Sequence, residues 1–147
     1  MAGFTNKSKM RLLETLRGVS LPTSLYAVLC TSATAPTQDS NTLSQLTQIG
    51  GSTGYTTNGT QLTLNTTNFT TPTEDDSADT GELTIIDMVW TASGGTLGAA
   101  RYMVLTDDDG TPADREIWAY YDLGSDVSVS SGQTLTLTGY KLKLTET

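Results

Sequence analysis

Histidine is absent from this 147-residue chain, and cysteine occurs once, at Cys30. Ser-His-Asp and Cys-His catalysis need an imidazole base, so both are excluded. Zinc sites built from His and Cys are excluded for the same reason. A single cysteine cannot form an intrachain disulfide. Because Cys30 lies in the apolar segment SLYAVLC, we expect it to be a buried structural thiol rather than a nucleophile.

Long hydrophobic runs are also missing. No stretch reaches the ~18 consecutive apolar residues of a membrane-spanning helix. The first residues alternate apolar side chains with Lys and Arg, which is unlike a signal peptide. The net charge is −8, and an acidic surface repels phosphates. We therefore predict that neither a membrane nor a nucleic acid is a partner.

Recognisable catalytic motifs are lacking as well. The chain has no phosphate-binding glycine motif and no G-x-S-x-G segment. Asp87, Glu116 and Asp122 are candidates for a general acid–base pair of the glycosidase type. However, such pairs arise by chance in a chain with 16 acidic residues. We predict that the protein is not an enzyme and that it needs no cofactor.

What the chain does have is threonine, serine and 14 glycines, while only 36% of its residues are hydrophobic. Threonine favours strands that have one face in water, and glycine supplies turns between them. One helix is predicted over residues 5–19, because Thr5 or Asn6 can cap its start and Gly18 can end it. Residues 42–49 form either a short helical turn or an edge strand.

Most of the remaining segments alternate with period two or are short apolar runs between turn residues. Seven or eight short strands indicate an all-β fold, an antiparallel β-sandwich of jelly-roll or Ig-like type with one short N-terminal helix. We assign residues 1–20 to a basic helix or arm and residues 21–147 to the sandwich body, within a single domain. Strands are predicted at 24–30, 61–65, 83–90, 101–106 and 115–123. Two more strands are predicted within 126–144, with a bulge at 138–139. Residues 70–82 are predicted to form an acidic loop, and residues 91–100 a flexible connection.

The N-terminal helix differs in charge from the rest of the chain. Residues 1–17 hold four of the eight Lys and Arg residues but only one of the 16 acidic residues, Glu14. Met10, Leu13 and Leu16 recur at helical spacing, so we expect them to pack on the sandwich or on a neighbouring subunit. The basic side chains would then point outward, either into solvent or against an acidic protein surface. The candidate partner-binding residues are Lys7, Lys9, Met10, Arg11, Leu13 and Arg17.

The segment TDDDGTPADRE, residues 106–116, looks like a calcium loop. With Gly110 at position 6 of an EF-hand loop, Glu116 falls at position 12, but position 1 falls on Leu105, which has no ligand oxygen. The favoured interpretation is a hairpin connection built on Asp-Gly and Pro112, and a weak cation site is the alternative. The residues beside it that we expect to hold the fold are Tyr102, Val104, Ile117 and Trp118.

The order of these segments resembles that of a family of tailed-bacteriophage virion proteins. The start MAGFTNKSKMRLLETLRGVSLPTSLYAVLCTSATAPT matches a short basic helix followed by P-x-x-L-Y-x-x-L, and VWTASGGTLGAARYMVLTDDDG matches a Trp-centred strand that runs into an Asp/Gly turn. The end VSVSSGQTLTLTGYKLKLT resembles that family's closing turn and alternating strand. The resemblance covers nearly the whole chain except residues 39–60, and it rests on order and spacing.

The resemblance implies a virion component, made in the host cytoplasm. One expectation is a capsid decoration (cement) protein, a small β-rich body, often trimeric, which binds the major capsid protein on the capsid surface and opposes internal DNA pressure. The alternative is a tail, neck or baseplate fibre component involved in attachment. In that case Tyr55, Trp90 or Trp118 could contact sugar, although core packing is favoured for both tryptophans.

Overall fold

The computed structural model describes residues 2–145, and it consists mainly of antiparallel β-sheet with one short helix in a sandwich-like arrangement. This confirms the predicted all-β fold class. The helix, α1, spans Asn6–Thr15, and single-turn 3₁₀ helices span Leu43–Gln45 and Pro112–Asp114. The strands are β1 Ala2–Phe4, β2 Ser24–Cys30, β3 Thr60–Thr63, β4 Thr73–Asp75, β5 Thr80–Thr84, β6 Met88–Thr91, β7 Leu97–Thr106, β8 Ile117–Val129, β9 Thr134–Leu137 and β10 Lys141–Thr145.

A five-stranded sheet with the order β1-β8-β7-β2-β3 forms one layer. Its central strands pair in antiparallel register, so that Leu29 lies opposite Met103, and Met103 lies opposite Tyr121. All three side chains are buried on the inner face. Because alternate residues of a strand point to the same face, these three residues identify the face of the sheet that packs against the core.

Two smaller sheets, β10-β5-β4 and β6-β9, supply the opposing side chains of the main core. Trp90 and Leu135, which are cross-strand partners in β6 and β9, are both buried there. The other face of the five-stranded sheet carries a second cluster, in which Leu43 and Leu46 cover Val28 and Val104. The segment 42–49, for which a helical turn and an edge strand were both predicted, contains the 3₁₀ turn between two isolated bridges, Thr42 with Glu116 and Gln48 with Cys30.

The predicted central strand at 83–90 is wrong, because it comprises the end of β5 and most of β6, which belong to different sheets. The chain leaves β5 at Ile85, whose backbone pairs instead with Phe69 and with the carbonyl of Tyr140. The sequence around this crossing is mostly apolar, and Asp87, which is exposed, is the one charged residue between β5 and β6.

Three further connections differ from the prediction. The acidic loop at 70–82 contains the β4–β5 hairpin, and Asp75 accepts hydrogen bonds from the Ser77 and Ala78 amides in its turn. The flexible connection at 91–100 is shorter, since β7 already begins at Leu97. The slip at 138–139 is a crossing from β9 to β10 through Gly139 at φ +70°, rather than a bulge within one strand.

Candidate functional site

The N-terminal segment is fixed to the body by backbone hydrogen bonds at the start of α1. Strand β1 pairs with β8, and the Thr5 amide donates to the Trp118 carbonyl at 3.1 Å. Thr5 is fully buried and caps the helix, because its hydroxyl accepts from the Ser8 amide and donates to the Ile117 carbonyl. Of the two predicted caps, Thr5 and Asn6, the structure shows Thr5, and this cap also ties the helix to β8.

A second set of contacts joins the helix start to the loop after β2. The Asn6 amide donates to the Gln38 carbonyl at 2.8 Å, and the Asn6 side chain donates to Asp39 Oδ1 at 2.9 Å. The first turn of α1 is therefore held by two separate segments of the body. Such contacts fix the direction of the helix as well as its position.

Glu116 forms the third attachment, under the middle of the helix. Its carboxylate accepts two hydrogen bonds from Arg11, at 2.7 and 2.8 Å, and lies 3.2 Å from Lys7 Nζ. Arg11 also donates to Glu14 at 2.8 Å. The bonds from Arg11 hold the pKa of the Glu116 carboxyl below its usual value, and Lys7 adds to this effect, whereas partial burial opposes it. We call Lys7, Arg11, Glu14 and Glu116 the helix latch.

Arg115, which precedes Glu116 in the chain, contacts segments other than α1. The buried Arg115 guanidinium lies 3.7 Å from the centre of the Tyr26 ring and donates to the Asn58 and Asp109 carbonyls. Successive residues of an extended chain point to opposite sides. Anchoring Arg115 inward therefore directs Glu116 toward α1.

The predicted orientation of the helix is wrong for Lys7, Arg11 and the packing of the apolar stripe on the sandwich, whereas Lys9 and Arg17 are exposed, as predicted. Lys7 and Arg11 point toward the body rather than outward, because both contact the Glu116 carboxylate. Met10, Leu13 and Leu16 do not pack on the sandwich, since they are 40%, 65% and 84% exposed. The surface beneath α1 offers backbone carbonyls and a carboxylate, so the polar side of the helix faces it, together with part of Leu12. Packing of the stripe on a neighbouring subunit stays a prediction.

The outward side of α1 is consequently apolar with cationic edges. Lys9 and Arg17 are exposed beside the three apolar side chains, and no ion pair of either is found among residues 2–145. We call Lys9, Met10, Leu13, Leu16 and Arg17 the outer helix face. It contains four of the six predicted partner-binding residues; Lys7 and Arg11 lie in the latch instead. Docking of any of the six stays a prediction.

Two more apolar side chains are exposed after the helix. Val19 and Leu21 are 46% and 42% exposed in the segment that leads to β2, where they line a pocket together with Arg11 and Glu116 of the latch. They were not predicted as site residues, and neither was Leu16, although Leu16 completes the helical stripe. The available signal was their density: six large apolar residues, Leu12 among them, occur between positions 10 and 21.

The acidic connection 107–116 joins β7 to β8, as predicted for a hairpin. Asp108 accepts hydrogen bonds from the amides and hydroxyls of Thr23 and Ser24, at 2.7 to 3.3 Å. Burial raises the pKa of Asp108, but these bonds together outweigh it and leave the value below the usual range. The carboxylate thus ties the hairpin to the start of β2. Within residues 2–145 no cluster of three or more Asp, Glu, Cys or His suits a metal ion.

The aromatic residues considered for sugar contact are buried. Trp90 and Trp118 lie in the core, which confirms the packing predicted for them, and the Tyr55 hydroxyl accepts from the Leu29 amide at 3.2 Å. Cys30 is buried as predicted, and burial raises the pKa of its thiol to about 12. A thiol with that pKa is protonated at neutral pH and is a poor nucleophile.

The part of the chain that the structure describes contains no helix long and apolar enough to cross a membrane. Comparisons of the chain with protein-family models, with curated proteins and with solved structures found no match.

Proposed function

We propose that the protein is a bacteriophage capsid decoration (cement) protein that binds the outer capsid lattice and stabilises it against internal DNA pressure. The observation that carries this proposal is the outer helix face, where Leu13 and Leu16 are exposed on a helix that is held to the body by polar contacts. The family resemblance of the sequence supplies the virion context. The proposed partner is the major capsid protein.

Exposed apolar side chains gain about 25 cal/mol for each Å² that a partner removes from water. An acidic chain with one basic, apolar face can dock through that face and leave its acidic surfaces toward solvent. A single contact of this kind need not be tight, because many symmetric copies act together on a lattice. By the same resemblance we propose that the protein assembles as a homotrimer on the capsid surface.

Copy number in purified virions tests the proposal. Quantitative gel densitometry should give hundreds of copies per virion, comparable with the major capsid protein. A few copies, or a few dozen, would remove the decoration function and favour the tail, neck or baseplate alternative. As a second measurement, capsids that lack the protein should release DNA at a lower temperature than capsids to which it has been added back.

A further inference from the structure

We infer that the outer helix face binds an apolar surface rimmed by carboxylates on a partner protein, and that Lys7 and Arg11 position the helix without contacting that partner. This inference rests on the proposed function and deepens it. It divides the basic residues of α1 into two pairs with different roles.

The apolar part of the argument comes from exposure. Met10 and Leu13 lie on the side of α1 that faces away from the body, and Leu16, the C-cap residue, continues the row. Large apolar side chains clustered on a surface mark an interaction site more often than single ones do. Because Thr5 and the helix latch hold α1 in place, its binding to a partner would not require the helix to fold first.

The charged part of the argument gives the chemistry of the partner. Lys7 and Arg11 already share the Glu116 carboxylate, whereas Lys9 and Arg17 form no ion pair within residues 2–145. Glu14, the one acidic residue of α1, is bound to Arg11. A partner that covers the outer helix face must partly desolvate Lys9 and Arg17, which is costly unless it offers carboxylates to pair with them.

A second copy of the same helix does not meet this requirement. In an isologous antiparallel pair centred on Leu13, Lys9 of one copy would lie beside Arg17 of the other, since both are four residues from the centre. A parallel pair would place each cation beside its own equivalent. Like charges at a shared contact oppose binding. The outer helix face is therefore suited to an acidic surface of a partner protein rather than to the same helix of a second copy.

Photo-crosslinking in assembled virions tests this inference. A benzophenone amino acid is placed at Leu16 or, as the matched control, at Val89, which is exposed to 58% on β6. We expect an adduct from position 16 with a segment of the major capsid protein that contains Asp or Glu, and none from position 89. The position-16 adduct should fall at least tenfold when Lys9→Glu and Arg17→Glu are added. The same reversal at the exposed Lys141 and Lys143 should leave it unchanged.

The outcomes separate the inference from the proposed function. An adduct with an acidic segment of another virion protein would support the inference and remove the capsid function. An adduct with a second copy, an adduct with a segment free of acidic residues, or no adduct from position 16 would overturn the inference, while copy number would still decide the function. Sedimentation of the protein with phosphatidylserine vesicles, lost in Leu13→Ser, would also overturn it.

Discussion

The sheet buries its large apolar residues in the core, whereas the helix beside it exposes most of its own to solvent. In the sheet, Leu29, Met103 and Leu105 are buried in the core, and polar residues occupy turns and edges. In α1 the polar side faces the body, and Leu13 and Leu16 face away from it. The sheet is therefore stabilised mainly by hydrophobic burial, whereas the helix is attached mainly by hydrogen bonds and ion pairs.

This difference separates the residues that stabilise the fold from those that are free to bind. A mutation in the core should unfold the protein, and a mutation on the outer helix face should leave it folded. Mutations in the helix latch should have intermediate effects on stability, because the latch orients α1 but contributes little to the core. Four sets of substitutions test this ordering, from the largest effect to the smallest.

The largest contrast is between Leu105→Ala and Leu16→Ala. Leu105 is fully buried, so its truncation should lower the free energy of unfolding by about 2–5 kcal/mol. Leu16 is mostly exposed, so the same change should stay within about 0.5 kcal/mol. Urea denaturation measures both. Similar losses for the two variants would mean that the helix stripe is part of the core.

Removing the Thr5 hydroxyl should have the next largest effect. In Thr5→Val the cap to the Ser8 amide and the bond to the Ile117 carbonyl are both lost, at a cost of about 1–2 kcal/mol. Thr5→Ser keeps the hydroxyl and is the control. Hydrogen exchange should rise in the first turn of α1 in the valine variant. Unchanged exchange there would argue against the cap as an anchor.

Breaking the latch with Glu116→Gln should cost about 1 kcal/mol at neutral pH, because Arg11 and Lys7 lose their shared carboxylate. The pKa of Glu116 is lowered in the folded protein, so its contribution is present above the pKa of an unfolded glutamate, about 4.3. This contribution is lost as the pH falls through the folded value.

The stability difference between wild type and Glu116→Gln should therefore shrink as the pH falls from 7 toward 3. Urea denaturation across this range measures it, and Glu14→Gln, which removes only the contact with Arg11, should show a smaller difference. A difference that stayed constant with pH would contradict the role given to the Glu116 carboxylate.

The smallest effects are expected for Lys9→Ala and Arg17→Ala. Both side chains are exposed and neither is paired within residues 2–145, so each change should stay within about 0.5 kcal/mol in thermal denaturation. A loss of stability as large as that of Glu116→Gln would show that Lys9 and Arg17 stabilise the fold. It would contradict the inference that these two cations are available to pair with a partner.

Local patterns predicted much of the fold. The cap at Thr5, the hairpin between β7 and β8 and the burial of Cys30 follow from short stretches of sequence. The break within 83–90 could not be predicted in the same way, because β5 and β6 pair with β10 and β9, which lie much later in the chain. An apolar run interrupted by a single acidic residue does not reveal which sheet each half joins.

The candidate site was predicted in composition but not in orientation. Helical spacing grouped Met10, Leu13 and Leu16 correctly on one side. Which side faces the body is decided by Glu116, which bonds Arg11 from 105 positions away. A periodic pattern identifies a stripe, but its direction depends on contacts that only the folded chain brings together.

The most direct test of the account uses methionine oxidation as a footprint of the free protein and of intact virions. Met10 lies on the outer helix face and is 40% exposed, while Met88 and Met103 are 4% and 0% exposed and act as internal controls. In the free protein, peroxide should oxidise Met10 much faster than either control. In virions Met10 should become as protected as Met88. Oxidation of Met10 at the same rate in both samples would contradict the claim that a partner covers this face.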